Sequence, residues 1–574
     1  MRLLLASLAA LLILAAPVSA AEVPDGYAYS DEWFSAHDGT QLHAGVFLPA
    51  DHRPGERHPT IVVLGPYTAP NGGATGASGG EVNSEGVPAI RFPELFTDAH
   101  ILDDRYAYVQ VDVRGFGGSG GCFEYYGPNE MRDAGTTVEY LAGRPWSTGK
   151  VAMWGKSYDA AEGVLALAAR PKGLAAVVTQ APGLSAYTAL WMNGVHYATG
   201  RYATTGLYTA DDVLPPQNAD SATSAEYAAA TFSGLTQSPQ CRADAIVGMN
   251  TERDRDSAFW RGREPYLKAK GSKVPTLWTH GFFDANTKPV HLDVYNALEG
   301  PTQAWFGQFT HVRGHEDAVG RRGFLEQAMR FLDRHVRGKR SADKGDPAVT
   351  VQEGNDGRWR LEDAWPPRDA RAWSLPIREG AYTDQPGNEA DAEGAGHWTV
   401  TKPLPWDAHL AGEPTLRATI ATSVPNANVV AHLYDVAPDG TTTFVQRGAL
   451  APADSGEQEI AFDLYPQDWR FLAGHRLALR LSASDDSWFT PGVTNTEVEV
   501  LGGALRLPLL ATKRRKFVEG GPSDGTGDYS RFTLDPATIE EGEVEATPPP
   551  RQRGGKPAKA KGDRPAKGGR AKQR

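Results

Sequence analysis

Through the first half of the chain, short apolar and β-branched runs alternate with stretches of helical spacing. The runs are TIVVLG (Thr60–Gly65), YAYVQVDV (Tyr106–Val113), VAMWG, LAAVVTQAP, VPTLWTHG and TQAWFGQFTH. Runs of this kind between helices read as buried strands of a largely parallel sheet. Upstream, EWFSAHDGTQLHAGVFLP turns at Asp38-Gly39 and reads as an antiparallel hairpin at the sheet edge. Between Pro182 and Pro275 the strand pattern lapses into alanine- and tyrosine-rich sequence, too long for a crossover connection and expected to form a helical cap over the sheet. After Gly338 a period of two takes over. In HRLALRLSAS, Leu477, Leu479 and Leu481 face one way while Arg476, Arg480 and Ser482 face the other, and EPTLRATIAT repeats this with Leu416, Ala418 and Ile420. These strands predict a β-sandwich, a jelly roll, over residues from about 350 to 535.

The two ends differ from this body. MRLLLASLAALLILAAPVSAAE has an early cation, an apolar stretch and small residues before Ala21, the pattern of a cleaved secretory signal. No later segment approaches the ~20 apolar residues that a membrane span requires. The last stretch, Arg551 to Arg574, carries ten Lys/Arg against one Asp and is expected to be disordered. Taking that +9 out of the −12 total leaves −21 on the rest, which speaks against a nucleic-acid-binding body. The tail reads as a solvated appendage, with weak contact to an anionic cell envelope as the alternative. Two cysteines, Cys122 and Cys241, fit an exported chain with one disulfide; two separate thiols are the other reading.

The candidate chemistry starts at VAMWGKSYDAAEG, Val151 to Gly163, where an apolar run breaks at Gly155, presents Lys156 and Ser157, and continues as a helix. Strand, glycine, serine, helix is the pattern of a nucleophile elbow, which lifts a serine oxygen above a sheet edge. The following helix start leaves backbone N–H groups without intrahelical partners, so that of Tyr158 can point at a developing oxyanion. An ordinary turn with serine as a helix cap is the bland alternative, and Asp159 and Ala160 interrupt the usual G-x-S-x-G.

A serine nucleophile needs an imidazole base oriented by a carboxylate. In an α/β hydrolase these follow the serine in the order acid, then histidine, after later strands. TLWTHGFFDANT places Asp284 after one strand, and AWFGQFTHVRGHE places His311 after the next. His315 is the competing base, farther from the strand end. His280 is expected to pack or hydrogen-bond, and Glu316 and Asp317 to be solvated charges near a helix start. The spacing of His311 and His315 could suggest zinc, yet no H-E-x-x-H is present and Gly314 weakens a helix there, so no metal ligand is expected; no cofactor is expected either.

Together these residues resemble the CocE/NonD hydrolases, the group of cocaine esterase, glutaryl acylase, α-amino-acid ester hydrolase and X-Pro dipeptidyl-peptidase. The resemblance runs from about Trp33 to Leu534 and rests on GPYT, VDVRGFGGSGG, EYLAGRPWSTGKVAMWGKSY, GFFD, GQFTH and AHLYDVAPDGTTTFVQRGAL. It implies an α/β hydrolase fold with a helical cap insertion and a C-terminal jelly roll, Ser157 as nucleophile, His311 as general acid/base and Asp284 as its orienting carboxylate. It also implies that the Tyr67 hydroxyl joins the Tyr158 amide in the oxyanion hole. Three departures stand out: Ala160 where the family has glycine, GQFTH in place of G-P-W-T-H, and Ser185 where members that grip a substrate ammonium carry an acid.

The expected organisation is a signal peptide at 1–20, a hydrolase domain at 21–182 and 276–345 interrupted by the cap at 183–275, a jelly roll at 346–537 and a basic tail at 538–574. The expected protein is a secreted or periplasmic serine acyl hydrolase acting on a small ester, amide or short peptide. An X-Pro dipeptidyl-peptidase is the alternative within the class, and an inactive envelope- or carbohydrate-binding protein the alternative outside it.

Overall fold

The computed structural model describes residues 23–67, 90–198, 239–290, 292–385, 396–485, 488–527, 531–547 and 549. The expected signal peptide, the glycine-rich loop after Tyr67, the middle of the expected cap and the basic stretch from 551 lie outside them.

The first strands are β1 (Tyr27–Ser35), β2 (Gln41–Pro49), β3 (His58–Gly65), β4 (Ala107–Asp112), β5 (Ser147–Lys156) and β6 (Leu174–Gln180). A two-residue antiparallel pair, β7 (Trp191–Met192) and β8 (Val195–His196), follows β6. The main sheet resumes with β9 (Thr276–Gly281), β10 (Thr302–Gly307), β11 (Val349–Gln352) and β12 (Trp359–Glu362). Ten of these form one sheet in the order β1-β2-β4-β3-β5-β6-β9-β10-β11-β12. From β4 to β11 the pairings are parallel, and the β1–β2 hairpin caps one edge. The residues of β4, β9 and the end of β5 are buried on both faces, which is why they read as continuous apolar runs.

Helices α1 (Pro128–Ala142), α2 (Tyr158–Ala169) and α3 (Phe324–His335) pack on the sheet. Their buried side chains divide between two clusters: Val138, Leu141, Val164 and Leu165 fall in one, Phe324, Phe331 and Leu332 in the other. The described residues between β6 and β9 carry short helices at Ala186–Leu190 and Ala258–Arg261 and a longer one at Pro239–Thr251. Cys122 is disulfide-bonded, and the chain has one other cysteine, Cys241, whose side chain lies outside the described residues.

The second half packs two further sheets face to face. One runs Gly456–Asp463, Thr415–Thr422, Glu497–Leu510, Ala408–Gly412 and Gln467–Phe471, with Ala370–Ile377 and Gly380–Thr383 paired on the long Glu497–Leu510 strand. The other contains Thr441–Leu450, Val429–Val436, Arg476–Ser482 and Gly396–Thr401. Leu416, Ile420 and Leu505 from the first meet Leu433, Leu477, Leu479 and Leu481 from the second in one core. Arg480 and Ser482 do face away from that core, yet they too are buried, because this face is covered rather than solvated.

Two boundaries differ from expectation. β11 and β12 extend the main sheet past residue 345, so the change of layer falls between Glu362 and Ala370 rather than at 345/346. Alternation reports which face of a strand is buried but not which sheet it joins. The tail, expected to begin at 538, starts later. Asp535 caps a helix at Pro536–Gly542 by accepting from the Ala537 N–H, and Glu543–Val544 then pairs with Gly396–Thr401. An acidic cap followed by proline at the first helical position carries that signal.

Candidate active site

Ser157 stands between β5 and α2 at φ 69° and ψ −121°, a backbone conformation that costs a non-glycine residue about 1–3 kcal/mol and clusters at functional sites. The turn holds because its surroundings leave no alternative. A Cβ on Gly155 would lie 2.2 Å from the Asp159 carbonyl carbon, and one on Gly65 would strike the Asp159 carboxylate. The Ser157 N–H donates to the Gln180 carbonyl at 2.9 Å, and the Ser157 carbonyl accepts from Ala161 N–H at 3.2 Å. Ala160, where the family motif has glycine, fits fully buried, with its carbonyl accepting from Thr179 Oγ1. Close contact with the sheet comes three residues later, where a Cβ on Gly163 would press on Val177.

Asp284 and His311 follow β9 and β10. The His311 Nδ1–H donates to Asp284 Oδ2 at 2.7 Å, which leaves Nε2 to accept a proton. Asp284 is fully buried, and its other oxygen accepts from the backbone N–H groups of Asn286 and Thr287. Burial disfavours its charge, but His311 and His280 outweigh that and hold the carboxyl well below the usual range. At His311 burial dominates over Asp284, and the imidazole sits below its ordinary value of 6.5. It is therefore neutral, and a competent base, at pH 7. Turnover is expected to fall only as pH drops through a value below 6.5, in a single acid limb of the kcat/KM profile; a limb centred above 6.5 would contradict the assignment.

The rival residues fall elsewhere. His315 lies 3.7 Å from Glu94, and His280 sits 3.3 Å from Asp284 as a second neighbour of that carboxylate. Glu316 accepts from the Arg313 N–H, and Asp317 is exposed beside Arg322.

The Tyr67 hydroxyl donates to Ser157 Oγ at 3.2 Å, so a phenol donor stands beside the proposed nucleophile. Among the described residues Ser157 Oγ makes no hydrogen bond to His311. Such bonds are often absent before substrate binds. The two halves of the site nevertheless feel each other, since the Lys156 charge helps lower His311 and the Asp284 charge acts on Lys156. Burial and the Arg91 charge push Lys156 down to about 8. The side chain of Tyr158 is remote from this chemistry. It is stacked on Tyr126 at 4.2 Å and donates to Glu130, so only its backbone is a candidate oxyanion donor.

Arg91 is a residue that sequence reasoning missed. Its guanidinium lies 4.1 Å over the Tyr67 ring, its Nε donates to Asp159 Oδ2 at 2.7 Å and its Nη2 donates to the Lys156 carbonyl at 3.4 Å. One side chain thus ties the phenol to the elbow. Its own carbonyl accepts from Arg313, two residues after His311, which also pairs with Glu94. The sequence signal was slight: an arginine beyond the glycine-rich loop, with nothing to mark its partners. Gln308, the departure in GQFTH, has an equally definite job. It donates to the carbonyls of Gln352 and Asp468 and so anchors the strand end that carries His311 against the sheet-rich half.

Tyr67→Phe is expected to lower kcat by about 10² to 10³, the cost of one oxyanion donor, with KM little changed. Arg91→Ala keeps the hydroxyl but frees its ring, and a loss approaching 10² in kcat is expected on the scale that small misplacements cost. Steady-state kinetics on both variants checks this. Wild-type turnover in Tyr67→Phe would remove the phenol from the mechanism.

Comparison with known proteins finds relatives named as serine hydrolases. A family model described as X-Pro dipeptidyl-peptidase (S15 family) matches residues 38–313, and one described as the X-Pro dipeptidyl-peptidase C-terminal non-catalytic domain matches 342–524. A putative Xaa-Pro dipeptidyl-peptidase of Streptomyces avermitilis is 23% identical over 497 residues, spanning 74% of this chain and 69% of its own. The cocaine esterase of a Rhodococcus species is 23% identical over 468 residues, 67% of this chain and 81% of its own. Among solved structures, a CocE/NonD family hydrolase from Staphylococcus aureus superposes with a TM-score of 0.66 at 15% identity, covering 87% of this chain and 99% of that one. An α-amino acid ester hydrolase superposes with a TM-score of 0.62 at 19% identity, with the same coverage.

Proposed function

We propose, from the match of residues 38–313 to the X-Pro dipeptidyl-peptidase (S15) family and of residues 342–524 to its C-terminal non-catalytic domain, that the chain is a serine hydrolase of the CocE/NonD kind, an acyl hydrolase that cleaves ester or amide bonds through an acyl-Ser157 intermediate. In this reading the main sheet and its helices are an α/β-hydrolase domain with a helical cap, and the packed pair of sheets is a jelly roll. The leader at 1–20 is removed on export, and Cys122 is bridged to Cys241.

The observation that carries the reading is the pairing within the site: a serine in a strained strand-to-helix turn under a phenol donor, and a neutral imidazole on a buried carboxylate. Ser157 Oγ attacks the substrate carbonyl carbon while His311 Nε2 takes its proton. The oxyanion so formed is met by the Tyr67 hydroxyl and the Tyr158 N–H. His311 then delivers the proton to the leaving group, and water repeats the sequence on the acyl-enzyme, regenerating Ser157. Asp284 keeps Nδ1 protonated throughout and stabilises the imidazolium when it forms.

Substrate choice separates two readings within the class. Ser185, in place of an acid, donates to Glu264, and Arg255 already pairs with that carboxylate. This arrangement favours an uncharged acyl group over a free amino terminus. The names of several relatives favour the X-Pro dipeptidyl-peptidase reading instead. Profiling one preparation on simple acyl esters and on X-Pro amides decides between them: the proposal expects kcat/KM to be higher for the esters, and the reverse order would replace it.

A further inference from the structure

At the opposite end of β3 from Tyr67, three side chains converge that the hydrolysis does not use. His52 and Glu56 lie in the connection between β2 and β3, and His58 begins β3. His52 Nδ1 is 2.9 Å from His58 Nε2, and Glu56 Oε2 lies 3.8 Å from the former and 4.0 Å from the latter. We propose that His52, Glu56 and His58 form a binding site for a zinc-class divalent metal ion, with structural rather than catalytic effect.

The donor orientation argues for this. His58 is fully buried, and its Nδ1–H donates to the Arg105 carbonyl at 2.9 Å. That bond fixes the tautomer and leaves Nε2 as a bare lone pair facing the other two groups, the arrangement that second-shell partners impose on metal-ligating histidines. Glu56 is oriented in the same way, because Arg105 Nε holds its other oxygen at 2.7 Å and the Arg53 N–H touches Oε2 at 3.2 Å. Tetrahedral zinc with bonds of about 2.0–2.2 Å sets its ligand atoms about 3.3 Å apart, between the separations seen here, so shifts of a few tenths of an ångström suffice. Two imidazoles and one carboxylate suit zinc, cobalt, nickel or copper rather than calcium or magnesium. Without metal the same contact is a His52–His58 hydrogen bond, and the experiment must separate these two states.

A metal here would pin the β2–β3 connection to the start of β3 and, through Arg105, to the loop before β4. The eight-residue strand that follows leads away to the site, so the ion sits roughly 25 Å from Tyr67. It would therefore raise stability by binding only the folded chain, without altering turnover.

The test uses the full-length protein, stripped with EDTA and dialysed, then titrated with ZnCl₂ by calorimetry and followed by thermal unfolding. One equivalent is expected to bind with a Kd in the micromolar range or below, and Tm to rise by several degrees at saturation. Because His58 is buried and its loss can unfold the chain, the diagnostic variants are His52→Ala and Glu56→Gln, each expected to weaken Zn²⁺ at least tenfold and to cancel the Tm shift. Failure of the wild type to bind Zn²⁺ would overturn the proposal, as would wild-type affinity in His52→Ala. Loss of hydrolysis on EDTA treatment would also overturn it, by placing the ion elsewhere.

Discussion

Ser157→Ala is expected to lower kcat by about 10⁶-fold, to a residue of activity supplied by the oxyanion donors and substrate binding alone. The variant should fold. Among the described residues its side chain makes one hydrogen bond, to Tyr67, while the strained turn is held by Gly155, Gly65 and backbone bonds that alanine keeps. A loss of this size with an unchanged Tm would separate nucleophile from scaffold. Ester hydrolysis surviving within tenfold of wild type would move the nucleophile to another residue.

Asp284→Asn is expected to cost about 10⁴-fold in kcat, the scale known for the corresponding change in other triads. The asparagine oxygen can still accept from the N–H groups of Asn286 and Thr287, so the loop keeps its shape. The amide then faces His311 Nδ1 as a donor, and the imidazole turns to the tautomer with its proton on Nε2, where it cannot accept from Ser157. The pH profile adds a sign. Asp284 raises the His311 pKa against burial, so its neutralisation moves the acid limb of the residual activity to lower pH. Full activity in this variant, or a limb shifted upward, would remove Asp284 from the triad.

Much of this arrangement was legible in the chain. Six apolar runs marked six strands, because strands buried on both faces show no alternation to confuse them. The break at Gly155 marked the elbow, since only glycine fits against the Asp159 backbone. Asp284 and His311 could be ranked because each directly follows such a run. What escaped was pairing between distant segments. Arg91 lies 24 residues in sequence beyond Tyr67, and its stacking on that ring has no periodic signature. β11 and β12 carry the same alternating pattern as the strands after them, so the pattern could not say that they close the main sheet. Gln308 was marked only as a departure, and its reason is a contact with Asp468, 160 residues away.

Buried acids were also invisible. Glu162 lies on α2 among alanines and is fully buried beside Glu130, which burial pushes up to about 7 even though Tyr158 donates to it. A pattern read by polarity alone assigns such a carboxylate to the surface, because the groups that pack around it and raise its pKa, Glu130 among them, come from other elements.

The account stands on Ser157 being an activated nucleophile, and stoichiometric labelling with a fluorophosphonate tests this most directly. Intact-mass and peptide mass spectrometry on the wild type should find one adduct, on Ser157, and little or none in His311→Ala over the same time. An unreacted wild-type chain, or an adduct on any other residue, would contradict the catalyst described here.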